Sequence, residues 1–335
     1  MKRMTAALAV VAVLLSGCST PPPQNETSNA PDISPALTEA QIKAVVEDLN
    51  TVLTNGKAGD QASLESRVMG PALRMRLAAL DLEAKSGGQF PAGNLVAETT
   101  ASTVSAGVKW PRTILDITEV PEGGHTPLLK VIRQDDAHAD FRLWAWVRLL
   151  PGATVPSTLS AEVGVNDEFV EDSTAQELIS NYVQMAPAQV GNAAVEVDDA
   201  FTTALTAQVK NLTDSAQASG SVNSTLAAGT DGYVEIPTAE GGSIVVSTLV
   251  QTATFQRTAA GSTFTLGGTI GALLGEDKKV TGTVTATWDI AVAFVVPPKG
   301  VDRKAHVIGA ERILRSVVAD ASTNPDAAAT PAANN

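Results

Sequence analysis

The chain has one cysteine in 335 residues, Cys18, and its position constrains the fold more than any other feature. Lys2 and Arg3 precede an apolar run from Thr5 to Leu15, and Ser16 and Gly17 then lead to the cysteine. This charged, apolar, small-residue order is that of an export signal. The run is about half the roughly 20 residues that a permanent membrane-spanning helix needs, so removal of residues 1–17 is expected. No second thiol exists to form an internal disulfide, although an exported compartment would permit one. The fold must therefore rest on a packed core.

Leu15-Ser16-Gly17-Cys18 resembles the bacterial lipobox, in which small residues fit a dedicated signal peptidase and the cysteine takes a diacylglyceryl group. The competing reading is a stray thiol in an ordinary export signal. Several acyl chains on one residue hold firmly where a single chain gives marginal binding. The expected location is the extracytoplasmic face of the cell membrane, with the membrane as a partner through lipid on Cys18. Loss of residues 1–17 takes Lys2 and Arg3 with it, leaving 21 basic against 36 acidic residues, a balance of −15. Such a surface repels phosphate backbones and anionic headgroups, so no nucleic acid is expected as a partner.

Residues 18–36 and 321–335 are rich in Pro, Ser, Asn, Thr or Ala with little to bury. They are expected to be a disordered tether and a disordered tail. Between them the element order occurs twice. In residues 37–155, Thr38 and Gln41 have capping-box spacing, and Ile42, Val45, Val46, Leu49, Val52 and Leu53 recur at helical period. A second helix, interrupted at Gly70-Pro71, runs to about Lys85. Period-two segments follow at residues 102–109, 113–120, 128–134 and 141–150, divided by turn signals. In residues 156–320, helices are expected at 173–186 and 201–212. Strands are expected at 232–236, 243–256, 262–266, 280–296 and from His306 to Arg315. The fold class is thus α+β: two tandem units, each with N-terminal helices packed on a bent antiparallel sheet. That order is similar to the cystatin-like and nuclear-transport-factor-like cones, which by itself carries no function.

The checkable catalytic motifs are missing: no G-x-S-x-G, S-x-x-K, H-E-x-x-H or G-x-x-x-x-G-K occurs. No catalytic residue, cofactor or metal is assigned. His125 and His306 read as loop histidines. His138, among Asp135, Asp136 and Asp140, suits either a divalent cation or a charged turn that keeps a sheet edge soluble. Asp167, Glu168, Glu171 and Asp172 read as a solvated linker, and residues 267–271 as a glycine-rich hairpin lacking phosphate-loop spacing. The candidate ligand-binding residues are Arg142, Trp144, Trp146 and Arg148. Strict alternation along residues 141–150 puts two indoles and two guanidiniums on one side, a set able to stack on rings and hold an anion. The alternative is that the indoles are packed and the arginine stems cover apolar surface.

The lipobox, Gly70-Pro71-Ala72-Leu73 with Arg74 and Arg76, Trp110-Pro111-Arg112, the strand 141–152, Val296-Pro297-Pro298 and Ile308-Gly309-Ala310-Glu311 together resemble an actinobacterial family of uncharacterised secreted lipoproteins, classed as a domain of unknown function. The resemblance implies no activity and no catalytic residues. Three functions remain open: a non-catalytic binding or assembly protein of the cell envelope, with an unidentified envelope protein or small molecule as partner; a carrier of a hydrophobic or aromatic small molecule; and an enzyme. A filled interior favours the first, an open apolar cavity the second, and a closed polar cavity with a buried carboxylate the third.

Overall fold

The computed structural model describes residues 35–105, 110–158, 164–166, 174–275 and 278–328. Cys18 and the acidic run 167–172 lie outside them. All the described residues belong to one compact unit.

Helix α1 (Glu39–Asn55) begins with the expected capping box, in which Thr38 and Gln41 each accept from the other's backbone N–H. It buries Ile42, Val46, Leu49 and Leu53. Asp60 caps the short α2 (Gln61–Glu65), and α3 (Gly70–Lys85) follows with Pro71 in its first turn, where a missing N–H costs nothing. Gly70 has a φ of +51°, and a Cβ there would meet the Trp144 ring at 3.4 Å. The strands are β1 (Thr99–Val104), β2 (Arg112–Thr118), β3 (Leu128–Gln134), β4 (Arg142–Leu149) and β5 (Gly164–Asn166). After α4 (Thr174–Met185) and α5 (Ala200–Ala216) come β6 (Gly220–Pro237) and β7 (Ser243–Arg257). The short α6 (Gly268–Leu274) precedes β8 (Thr283–Val296), β9 (His306–Asp320) and α7 (Pro325–Ala328).

These strands form one antiparallel sheet of nine, in the order β1-β2-β3-β4-β9-β8-β7-β6-β5. The α+β class therefore stands, whereas two separate tandem units are not confirmed: strands from both sides of the expected boundary at 155/156 share the sheet. The joint is narrow. β4 meets β9 through Arg148↔Ala310 and Leu149↔Gly309, and Leu150 N–H donates to the Ile308 carbonyl at 2.8 Å. Gly309 is required there, since a Cβ would lie 2.7 Å from Val147 Cγ2. At its other end β4 pairs instead with the segment before α3, where Leu143 exchanges backbone bonds with Arg67 and Met69. The strands splay, and α3 fills the opening, packing on both β4 and β9.

The sheet also curls. β4 and β8 touch although β9 lies between them, whereas in a flat sheet they would be about 9.6 Å apart. Ile244, Val246, Ala291 and Ala293 join the core of α1, α3 and β2–β4. Their alternate neighbours Val245, Ile290 and Val292 pack with Leu178, Ile179 and Tyr182 of α4. The long strands are thus buried on both faces, one covered by the first half of the chain and the other by α4.

Two other expectations are corrected. Residues 262–266 are not a strand, and 267–271 are not a hairpin: α6 forms here, because Ile270 buries in the cluster of Phe255, Phe264 and Trp288. Within the stretch expected as a tail, α7 forms and its approach meets β7. Asn324 and Asp326 accept from the nearly buried Arg257 guanidinium, Asp326 at 2.6 Å.

Candidate functional site

The four residues singled out on β4 do not share one face. The β3–β4 register passes from Val131↔Ala145 to Ile132↔Leu143, which leaves Trp144 as the extra residue of a bulge. Trp144 is 3% exposed, packed by Gly70 and approached by the Arg133 guanidinium at 5.6 Å. Trp146, 2% exposed, lies opposite Lys130, and its indole N–H donates to Glu311 Oε2 at 3.3 Å. Arg142 faces Asp135 at 3.8 Å, while Arg148 Nε lies 3.0 Å from Glu311 Oε2. The structure thus brings Trp146 and Arg148 together and separates them from Trp144 and Arg142.

Following Arg148 leads to a cleft of about 500 Å³ between α3, the 90–93 loop, α5 and β9. The loop is held by Arg76 of α3, which donates to the carbonyls of Ala92 and Gly93. Burial pushes the Arg76 guanidinium below its ordinary value. Glu311 sits on the cleft wall between Arg148 and Trp146. Burial raises its carboxyl above the usual carboxylate range, with Arg148 opposing.

Beside it, Arg312 stacks on the Trp288 indole at 4.1 Å from the ring centroid. Its Nε donates to Gln251 Oε1 at 2.7 Å and its Nη1 to Gln208 Oε1 at 3.1 Å. Both acceptors are neutral amides. No carboxylate among the described residues comes within ion-pair reach of Arg312, and Nη2 makes no hydrogen bond among them. Burial alone pulls this guanidinium down to about 10, still charged at neutral pH. With Arg148 matched by Glu311, the cleft carries one uncompensated positive charge in a chain of net charge −13.

Behind the 90–93 loop Arg76 bonds only to backbone carbonyls among the described residues, whereas the carboxylates near the cleft are paired with arginines. Asp289, 1% exposed, accepts from Arg74 Nε at 2.9 Å and Arg315 Nη1 at 2.8 Å. Asp231 takes the other two Arg74 nitrogens at 3.1 and 2.8 Å. This network fastens α3 to β6, β8 and β9. The sequence offered weak signals for the cleft. Trp288 and Glu311 lie within segments that stand out, but Arg312 meets Gln251 and Gln208 only through contacts 61 and 104 residues apart in the chain.

Other candidates fall away on geometry. His138 is fully exposed, and only Asp136 stays beside it, at 3.9 Å from its Nδ1, while Asp135 turns to Arg133 and Arg142 and Asp140 to Arg67. Among the described residues no cluster of three metal-ligating side chains occurs. A larger hollow of about 760 Å³ lies beside Pro297, Pro298 and His306. Its Arg303 and Glu240 are both exposed and pair with each other at 3.7 Å.

Comparison with family models, with curated proteins and with solved structures gave no match.

Proposed function

We propose that this chain is a non-catalytic binding protein of the cell envelope, held on the extracytoplasmic side by lipid on Cys18, which takes up a small anionic molecule at Arg312. The carrying observation is that Arg312 is stacked on Trp288, hydrogen-bonded only to neutral amides, and open to a cleft of a size common for ligand sites. A desolvated guanidinium without a counter-charge is costly. An anion entering the cleft supplies that charge and can form a bidentate bond. Of the charged residues that line the cleft, Arg148 and Glu311 are paired with each other, which leaves Arg312 as the point of recognition. The acidic surface argues against nucleic acid as the source of that anion.

Native mass spectrometry of the protein gently extracted from its own membrane tests this. The wild type is expected to carry a small acidic molecule that Arg312→Met lacks, with both folded by circular dichroism. Equal retention by the two proteins, or none by either, would overturn the assignment.

A further inference from the structure

A second space adjoins the first. α5 is 17 residues long but buries only Thr202, Leu205 and Ala216, so it stands partly off the sheet. The gap of about 230 Å³ beneath it is lined by Pro187, Leu205, Val209 and Leu226, with Ser224, Gln251 and Lys210, the last paired with Asp214 at 2.6 Å, among its polar residues. Gln251 is shared. Its Oε1 accepts from Arg312, and its Nε2 donates to Ser224 Oγ at 3.0 Å. Gln208, the other amide on Arg312, is an exposed residue of α5, one position before Val209. The guanidinium and the apolar gap are thus separated by two amide side chains, one free to rotate into solvent.

On the reading that Arg312 is an anion site, we infer that its ligand is a single-chain amphiphilic carboxylate, with the head on Arg312 and the apolar chain under α5. Arg312 Nη2 and Nη1 present two parallel donors to a carboxylate once Gln208 turns away. The chain follows Gln251 into the gap and covers Val209 and the exposed part of Leu226, beside the buried Leu205. The gap suits one narrow chain, so the ligand is a free acid rather than a two-chain lipid of the bilayer.

Isothermal titration calorimetry with butyrate, hexanoate, octanoate, decanoate and decanol, all below their aggregation thresholds, tests the inference. Affinity is expected to rise about fourfold per added methylene, from about 0.8 kcal/mol each, until the gap is full. Decanol should bind at least tenfold more weakly than decanoate, and Val209→Phe should remove most of the chain-length dependence. Equal binding of butyrate and decanoate would overturn the amphiphile while leaving the anion site in place. Equal binding of decanol and decanoate would remove the role of Arg312, and no binding of any acid would overturn both readings. Tighter binding to vesicles of a two-chain anionic lipid than to decanoate would assign the chain to a bilayer lipid and refute the free acid.

Discussion

Replacing Asp289 by Asn tests how the two halves of the chain are joined. The carboxylate is 1% exposed and accepts one bond from Arg74 on α3 and one from Arg315 on β9. Hydrogen bonds to charged groups contribute about 1.5–3 kcal/mol each. Both guanidiniums are about one-third exposed, so water recovers part of that, and Arg74 keeps Asp231. Asn retains one acceptor but turns an NH₂ toward a guanidinium. The net loss is expected to be about 2–3 kcal/mol. At about 2.1 cal/mol/K of unfolding entropy per residue over about 300 residues, that is a fall of roughly 3–5 °C in Tm. Urea unfolding followed by tryptophan fluorescence and by far-UV circular dichroism should give coincident single transitions, shifted together in the variant. A loss below about 0.5 kcal/mol, within the range of ordinary surface changes, would refute the proposed clamp. Two separated transitions would show that the shared sheet does not unfold as one.

Trp144→Ala should cost about 3–5 kcal/mol, the range for an emptied aromatic site, and increase binding of a dye for exposed apolar surface; denaturant titration measures the first. Glu311 has its folded pKa raised by burial, so the folded state takes up its proton first as pH falls. Its contribution to stability therefore grows as pH falls through the raised folded value toward the unfolded carboxylate value, and Glu311→Gln should flatten that part of the stability–pH curve; an unchanged slope would count against the buried carboxylate. Cys18→Ser should abolish acyl labelling and shift the protein to uncleaved precursor or the soluble fraction, as membrane fractionation would show.

Much of the local structure was legible in the sequence because it depends on neighbours. The Thr38 capping box, the helical periods of α1 and α4, and the cores of β3, β4, β7 and β8 follow from short-range spacing. What spacing could not show was pairing across the sheet. Strict alternation placed Trp144 and Trp146 together, but the β4 bulge depends on Leu143 pairing with the Arg67–Met69 backbone, a contact far away in sequence. The first part of β6 was missed for a related reason. Residues 220–228 are largely polar and small, and among the described residues β5 pairs only with Tyr233–Glu235, which leaves this stretch paired on one side, by β7, and beside α5. The repeat of element order was visible, but the junction at Gly309 that unites the strands was not. Arg312 is part of the same lesson. A charged residue in an amphipathic strand reads as surface, and only the packed structure shows it over Trp288 between two glutamines.

The most direct measurement is the melting temperature of wild type and Arg312→Met, each with and without decanoate. Methionine keeps an apolar stem over Trp288 while removing the charge. The lost stacking and amide bonds are offset by relief of a desolvated cation, so without ligand the two proteins should differ by less than about 1 kcal/mol. Decanoate should then raise the melting temperature of the wild type alone, as linkage requires of a ligand that binds only the folded state with Arg312 present. A variant several degrees less stable on its own, and stabilised by decanoate as much as the wild type, would make Arg312 a packing residue and contradict the anion site.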